Sequence, residues 1–143
     1  MKRILIVNGP NINMTGIREV GVYGSASIAQ INEELKAKAQ RMEIDLEIRQ
    51  SNHEGDLVDW IQEAYESFDG IILNAGAYTH YSYALRDAIS AVGKPCIEVH
   101  FSNIQARDGF RRESVIAPVC QGTIAGFGKT SYLLALDAMA VLV

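Results

Sequence analysis

Cysteine, proline and clustered positive charge are scarce in this chain, and each scarcity excludes a class of protein. The 143 residues include two cysteines, Cys96 and Cys120, which form neither a CxxC pair nor a zinc-ligand spacing. Both lie in or beside apolar runs, so we expect buried, reduced thiols. The 13 lysines and arginines are scattered and face 17 acidic residues, for a net charge of −4. Neither a nucleic-acid surface nor an anionic-membrane surface is therefore predicted.

Long hydrophobic runs are also missing. The apolar start of the chain ends in a turn at residues 8–10 and is too short for the core of a signal peptide. The apolar stretch 132–143 carries Asp137 and is too short to span a bilayer. With 48% apolar and 21% charged residues, the composition is that of a globular protein. We therefore expect one domain over residues 1–143, cytoplasmic and without a membrane partner.

Short apolar runs alternate with amphipathic segments along the whole chain. Strands are predicted at 4–7, 46–49, 70–74, 96–100 and 122–125, and helices at 27–42, 57–68, 83–92 and 130–142. Ser27, with Gln30 three residues later, is typical of a capped helix start. The strand at 46–49 alternates apolar and charged residues, which favours a place near an edge. This order predicts an α/β protein with a parallel sheet and helices on both faces.

Polar residues concentrate where the predicted strands end. They are Asn8 and Asn11, then Asn52, His53 and Glu54, then Asn74, Thr79 and His80, and finally His100, Ser102 and Asn103. Ligands of open parallel sheets bind at the carboxyl ends of the strands, so this rim is the candidate site. The two long connections, 9–24 and 101–114, start from the same rim and are also expected to be functional. The alternative for any single member is a cap of a helix or turn.

Three chemistries lack their usual residues on this rim. The three histidines fall on different strands without HxH or HExxH spacing, so zinc is not favoured. Gly128-Lys129-Thr130 resembles the end of a phosphate loop, but Thr123 stands where that loop needs glycine, and a tight helix start is the alternative. The five lysines lie before strands or on and beside helices, which argues against an imine intermediate. None of these three chemistries is therefore favoured.

Acid–base chemistry remains. Tyr23 and Arg18 share the 9–24 loop, and a guanidinium nearby favours the phenolate, which would let Tyr23 act as a base. A packed surface aromatic is the alternative for Tyr23. Glu98 and His100 are two residues apart on one strand and so face the same side. The carboxylate would suit His100 to act as an acid, the alternative being a satisfied histidine at a strand end. The donor-rich rim and Arg111 on the second loop favour a small polar, anionic substrate.

Several segments together carry a resemblance to a known family. They are NGPNIN at 8–13, Gly16, Arg18-Glu19, VYG at 22–24, QSNHEG at 50–55, NAGAYTH at 74–80, ALRDA at 84–88, EVHFSN at 98–103, Ala106-Arg107, Phe110-Arg111 and the stretch 122–128. In this order, and over essentially the whole chain, they resemble the type II 3-dehydroquinate dehydratases. The resemblance implies a flavodoxin-like three-layer sandwich with a five-stranded parallel sheet in the order 2-1-3-4-5. It also implies a lyase of the shikimate pathway for aromatic amino-acid biosynthesis. This lyase dehydrates 3-dehydroquinate to 3-dehydroshikimate by anti elimination through an enolate, without cofactor, metal or imine.

The resemblance also assigns roles to residues. Tyr23 matches the base, Arg18 the arginine that activates it, and His100 the acid, which Glu98 would tune. Asn11 would hold the water or donor that faces the enolate oxygen. The residues that match substrate ligands are Asn74, His80, the Phe101-Ser102 backbone with the Ser102 hydroxyl, and Arg111. Asp87 matches a residue that reaches a neighbouring subunit's site, and the family's trimers gather into dodecamers, so a homo-oligomer is expected.

Two departures and two rival functions stay open at this point. Val20 stands where the family often has proline, and Glu113 where it often has histidine. A flavin or nucleotide binder on the same fold would need a Ser/Thr/Gly-rich first loop, and here that loop offers Asn, Pro and Arg. A scaffolding oligomer with a vestigial site is the second rival.

Overall fold

Five parallel strands form one sheet in the computed structural model, which describes residues 1–17 and 26–143. The strands are β1 Lys2–Asn8, β2 Ile44–Gln50, β3 Gly70–Asn74, β4 Cys96–His100 and β5 Gly122–Ala125. Their order in the sheet is β2-β1-β3-β4-β5, as the resemblance implies. The chain reverses its direction of winding at β1, which has β2 on one side and β3 on the other. Such a switch point leaves a crevice at the carboxyl ends of the strands.

Helices cover both faces of this sheet. The α-helices are α1 Ile28–Arg41, α2 Glu54–Ser67, α3 Tyr83–Val92 and α4 Thr130–Leu142. Short 3₁₀ turns lie at Ile12–Met14, Gly76–His80, Ile104–Ala106, Gly109–Arg112 and Ala117–Val119. The capping box predicted at α1 is present, because Ser27 Oγ accepts from the Gln30 N–H and Gln30 Oε1 accepts from the Ser27 N–H. Such a cap contributes about 1 kcal/mol to helix stability.

The alternation of side chains along β1 divides the core into two layers. Ile4 and Ile6 pack with α1 and α4 on one face of the sheet. Leu5 and Val7 pack with α2 and α3 on the other face. The side chains at 4–7 are fully buried, which explains why this run is apolar without interruption. The three-layer sandwich predicted from the sequence is confirmed.

The edge strand β2 and Cys96 follow the sequence predictions, whereas Cys120 is less buried than predicted. β2 is an edge strand and is only half-buried over most of its length, as its alternating pattern predicts. Both cysteines are free thiols, with Cys96 buried and Cys120 only partly so. Within the described ranges, no helix is long and apolar enough to cross a membrane.

Candidate active site

A cavity of about 520 Å³ opens beyond the carboxyl ends of β1, β3 and β4. Its walls come from three connections: Pro10 to Thr15 after β1, Asn74 to His80 after β3, and His100 to Arg111 after β4. Both long connections predicted to be functional contribute to it. The crevice at the switch point is therefore the candidate active site.

The structure gathers most of the predicted site residues in this cavity. Those that line it are Asn11, Asn74, His80, His100, Phe101, Ser102 and Arg111, and Glu98 lies directly behind His100. Asp87 does not line it, since it lies on the exposed face of α3. Arg18, Tyr23 and the departure at Val20 lie outside the described residues. His53 ends up as the residue that precedes α2 and does not reach the cavity.

Glu98 and His100 form a hydrogen-bonded pair. They lie on the same side of β4, as the two-residue spacing predicts, and Glu98 Oε2 is 2.6 Å from His100 Nε2. Glu98 is fully buried, whereas His100 is 6% exposed and reaches the cavity wall. Because Nε2 bonds to a carboxylate, it carries the hydrogen, and Nδ1 is the ring nitrogen left for the cavity.

Neutral hydroxyl groups surround the buried carboxylate of Glu98. Thr79 Oγ1 donates to Oε2 at 2.7 Å, and Ser114 Oγ lies 2.8 Å and 2.9 Å from the two oxygens. Thr123 on β5 adds a longer contact of 3.3 Å. Burial by itself would raise the pKa of Glu98, but the hydrogen bonds from His100, Thr79 and Ser114 and the imidazole charge together lower this pKa below its ordinary value. The carboxylate is therefore ionised at neutral pH despite its burial.

A second buried network holds Asn74 at the end of β3. The Tyr132 hydroxyl donates to Asn8 Oδ1 at 2.6 Å and accepts from Asn74 Nδ2 at 2.8 Å. Asn74 Oδ1 accepts in turn from the Gly76 N–H at 3.1 Å. All three network side chains are at least 98% buried, and burial raises the pKa of Tyr132 well above its ordinary value. Tyr132 therefore stays protonated and fixes the orientation of the Asn74 amide.

The first connection approaches the cavity through a strained turn. Asn11 has a left-handed backbone with φ of 69°, and its N–H donates to Asn52 Oδ1 at 3.1 Å. Asparagine tolerates this conformation better than most residues. Gly9, just before it, has no room for a side chain, because a Cβ there would lie 2.5 Å from the carbonyl oxygen of Ala75. The turn thus brings Asn11 to the cavity by close contact between two backbones.

Cationic and polar groups from the third connection form the opposite wall. Arg107 Nη2 donates to Ser102 Oγ at 2.7 Å, and the Arg111 guanidinium lies 5.0 Å from the centre of the Phe110 ring. His80 Nδ1 bonds to the backbone carbonyl of Glu113 at 2.6 Å. Since that bond uses the backbone, the departure from histidine at position 113 leaves it intact. The positive wall favours an anionic ligand.

The described residues offer little for metal binding, and the cavity walls offer little for imine formation by lysine. Within residues 1–17 and 26–143, no cluster of three or more His, Cys, Asp or Glu side chains could hold a metal ion. All five lysines belong to these ranges, and none of them lines the cavity. The cavity therefore offers acid–base and anion-binding groups.

Comparison with known proteins identifies the family. The family model "Dehydroquinase class II" matches residues 2–140. A 3-dehydroquinate dehydratase of Caldicellulosiruptor bescii is 55% identical over 140 residues, which cover 97% of each chain. The chain belongs to this family.

Solved structures of the same family agree with this assignment. A type II dehydroquinase of Butyrivibrio crossotus has a TM-score of 0.95 and 46% identity, and the match covers 97% of both chains. The type II dehydroquinase of Propionibacterium acnes also has a TM-score of 0.95, at 38% identity, with 99% of this chain and 97% of that chain covered. Membership of the class II dehydroquinases favours the lyase over the flavin binder and the scaffold.

Three residues contact site residues of this class II dehydroquinase but are not predicted from the sequence to do so. Thr123 contacts Glu98 because the two are register partners on β5 and β4, a signal that appears only once strand order and register are known. Ser114 lies in a connection without periodicity, so nothing in its neighbourhood marks it. Tyr132 lies in an apolar helix and was counted with its hydrophobic residues.

Proposed function

We propose that this chain, a type II 3-dehydroquinate dehydratase by family, dehydrates 3-dehydroquinate to 3-dehydroshikimate by anti elimination through an enolate. Tyr23 is the base and His100 is the acid. The names of its relatives and the match over nearly the whole chain support the substrate. The observation that carries the mechanism is the buried Glu98–His100 pair opening onto a cavity with an arginine wall.

The first step forms the enolate. The Tyr23 phenolate takes the proton from the carbon next to the ketone, and the electron pair of that C–H bond becomes a C=C bond while the carbonyl oxygen gains the negative charge. The positive charge of Arg18 favours the phenolate form of Tyr23 over the neutral phenol. Asn11 holds a water or its own amide against the enolate oxygen. Its position on the cavity wall supports this role.

The second step expels the hydroxyl group. The enolate reforms the ketone, the new C=C bond shifts to the neighbouring carbon pair, and the C–O bond of the leaving hydroxyl breaks. His100, as the imidazolium, gives its Nδ1 proton to that oxygen, which leaves as water. Nδ1 is suited to this because Glu98 occupies Nε2. One proton then passes from tyrosine to histidine, through solvent, to reset both groups.

The remaining cavity residues bind the substrate. Arg111 pairs with the carboxylate, and Ser102, with its hydroxyl held by Arg107, supplies a further polar contact. Asn74 and His80 bind hydroxyl groups. His80 suits this task because Nδ1 is committed to the carbonyl of Glu113, which leaves Nε2 for the ligand.

The proposed assembly is a single catalytic domain repeated in a homododecamer that is built from trimers. Asp87 then completes the site of a neighbouring subunit. Its exposed place on α3, away from the cavity of its own chain, supports this assignment. Sedimentation equilibrium of the purified protein tests the assembly, and an Asp87→Ala variant that keeps full activity would remove Asp87 from the site.

The activity is tested by following the enone product, which absorbs in the near ultraviolet. We expect turnover of 3-dehydroquinate by the wild type and a loss of at least about 100-fold in kcat for Tyr23→Phe, with folding intact by circular dichroism. Near-native turnover in Tyr23→Phe would remove it as the base. Borohydride would reduce an imine between a lysine and the substrate and so inactivate the enzyme. We therefore expect activity to be retained after borohydride treatment in the presence of substrate.

The two steps are separated by isotope exchange. His100→Ala is expected to slow product formation more than the exchange of the substrate's α-proton with D₂O, because His100 acts only on the departing hydroxyl. Product formation and exchange are measured in the same NMR tube. Equal losses in both would contradict the role of His100 as the acid.

A further inference from the structure

We infer that Ser114 is a positioning residue for the proposed reaction, because its hydroxyl holds the Glu98 carboxylate in the orientation in which this carboxylate bonds to His100. The inference rests on the proposed function, since it concerns the acid of that mechanism. Ser114 does not line the cavity walls and acts only through Glu98.

The hydrogen-bond directions at Ser114 are fixed by its neighbours. The Ala117 N–H donates to Ser114 Oγ at 3.0 Å, which occupies an acceptor site of the hydroxyl. Its hydrogen is then directed at the Glu98 oxygens, 2.8 Å and 2.9 Å away. A hydroxyl that already accepts from a backbone N–H is a better donor, since successive hydrogen bonds polarise one another. Ser114 therefore acts as a directed donor to the carboxylate.

The backbone around Ser114 is tied to the segment that carries the other main donor. The Val115 N–H donates to the Thr79 carbonyl at 2.8 Å, and the carbonyl of Glu113, on the other side of Ser114, bonds to His80 Nδ1. Thr79 and Ser114 thus approach Glu98 from two segments that are bonded to each other on both sides. Since Arg111 lies only three residues before Ser114, the same connection carries both the anion-binding wall and the support of the acid.

Other charges near Glu98 are few. His100 is the one titratable side chain hydrogen-bonded to it within the described ranges, and the Cys96 thiol on the same strand feels its charge without bonding to it. The groups that approach from the other elements, Thr79, Ser114 and Thr123, are neutral hydroxyls. Removing the Ser114 hydroxyl therefore changes how well the carboxylate is held, and changes no other charge.

Ser82 provides a matched control in the same chain. Its hydroxyl accepts from the Leu85 N–H at 3.0 Å and donates to the Glu54 carboxylate at 2.6 Å, which is the same arrangement three residues apart. Ser82 caps α3, and neither it nor Glu54 lines the cavity. Ser82→Ala therefore removes an equivalent set of bonds without touching the acid pair.

The test compares Ser114→Ala, Ser114→Thr and Ser82→Ala in kcat, KM and Tm. We expect Ser114→Ala to lower kcat about tenfold, with KM within about twofold of the wild type. The pH at which the Glu98 carboxylate titrates should rise by about one unit, because this carboxylate loses a donor that favours its charged form. Ser114→Thr, which keeps the hydroxyl, should restore wild-type kcat, and Ser82→Ala should lower Tm without lowering kcat.

A second readout does not depend on turnover. In proton NMR the three histidines give three Cε1–H signals, and the one missing from the His100→Ala spectrum belongs to His100. The chemical shift of this signal should show an inflection at acid pH, where the neighbouring Glu98 is protonated. This inflection should move upward in Ser114→Ala, and in the near-isosteric Ser114→Cys if the alanine variant does not fold. An unchanged inflection, or the same movement in Ser82→Ala, would overturn the inference. Absence of dehydratase activity in the wild type would instead overturn the proposed function.

Discussion

Glu98 and Glu63 are both carboxylates with several donors, and their surroundings differ completely. Glu98 is buried on a central strand and receives hydroxyl hydrogens and one imidazole. Glu63 lies on the exposed side of α2, where Arg49 Nη1 and Nη2 donate to it at 2.7 Å and 3.2 Å. Arg49 also contacts Glu47 and lies over the rings of Trp60 and Phe68. The pKa of Glu63 is lowered mainly by the bond from Arg49, which opposes a smaller effect of burial.

The difference teaches how a negative charge is kept in each place. At the surface, water and a guanidinium both stabilise the carboxylate charge, so solvent compensates for the loss of the guanidinium. In the interior no water compensates, and each hydroxyl around Glu98 carries part of the solvation that water would give. Neutral donors also leave the negative charge of Glu98 available to the imidazolium of His100, which a buried arginine would cancel.

The largest effect is expected from Glu98→Gln. The amide keeps the size of the side chain but removes the negative charge that stabilises the imidazolium, and its NH₂ group faces the hydroxyl donors. We expect kcat to fall about 100-fold or more in the enone assay, with the fold retained. Glu63→Gln is the surface counterpart and should keep wild-type kcat. Wild-type kcat in Glu98→Gln would show that the charge of Glu98 is no more important for catalysis than that of Glu63.

Thr79→Val should have the next largest effect. The change is nearly isosteric and removes a hydroxyl that is fully buried and donates to Glu98 at 2.7 Å. Leaving a buried carboxylate with one donor fewer costs about 1–3 kcal/mol. We expect that loss in urea denaturation and a fall of about tenfold in kcat. Unaltered unfolding midpoints would mean that the remaining donors compensate fully.

Acidification should remove the contribution of the Glu98 charge to stability. The folded-state pKa of Glu98 lies below its unfolded value, so its contribution to stability is present above about pH 4.3 and is lost as pH falls through the folded-state pKa. The wild type should therefore lose more unfolding free energy than Glu98→Gln between pH 6 and pH 3. Urea midpoints at several pH values measure this difference. Parallel loss in both proteins would contradict the lowered pKa.

Arg49→Met should have the smallest effect. Methionine keeps part of the contact with the two rings, and the ion pairs that are lost are with the partly exposed Glu47 and Glu63, so Tm should fall by about 1–3 °C. Half-molar NaCl should reduce this difference, because salt screens exposed charges. The effect of Thr79→Val should not respond to salt. Enzyme activity is unchanged in Arg49→Met if the ion pair serves stability alone.

Sequence reasoning reached the part of the site that depends on regular structure. The two-residue spacing put Glu98 and His100 on one side of β4, and the ends of β3 and β4 brought Asn74 and Ser102 to one cavity. It did not reach the contacts that depend on tertiary register. Ser114 approaches Glu98 from a segment that is hydrogen-bonded to Thr79, and Tyr132 contacts Asn8, which lies 124 residues away in the chain. Local patterns carry no information about such pairings.

The position of β4 determines which parts of the cavity wall open locally and which open only with the whole protein. The strand is paired with β3 on one side and β5 on the other, and its five residues are buried. The turn Gly109–Arg112, by contrast, is solvent-exposed throughout. Amide hydrogens of β4 should exchange with deuterium only when the whole protein opens, while those of the turn exchange through small local excursions. Arg111, which lies in this turn, would therefore leave the cavity wall and return many times during one lifetime of the acid pair.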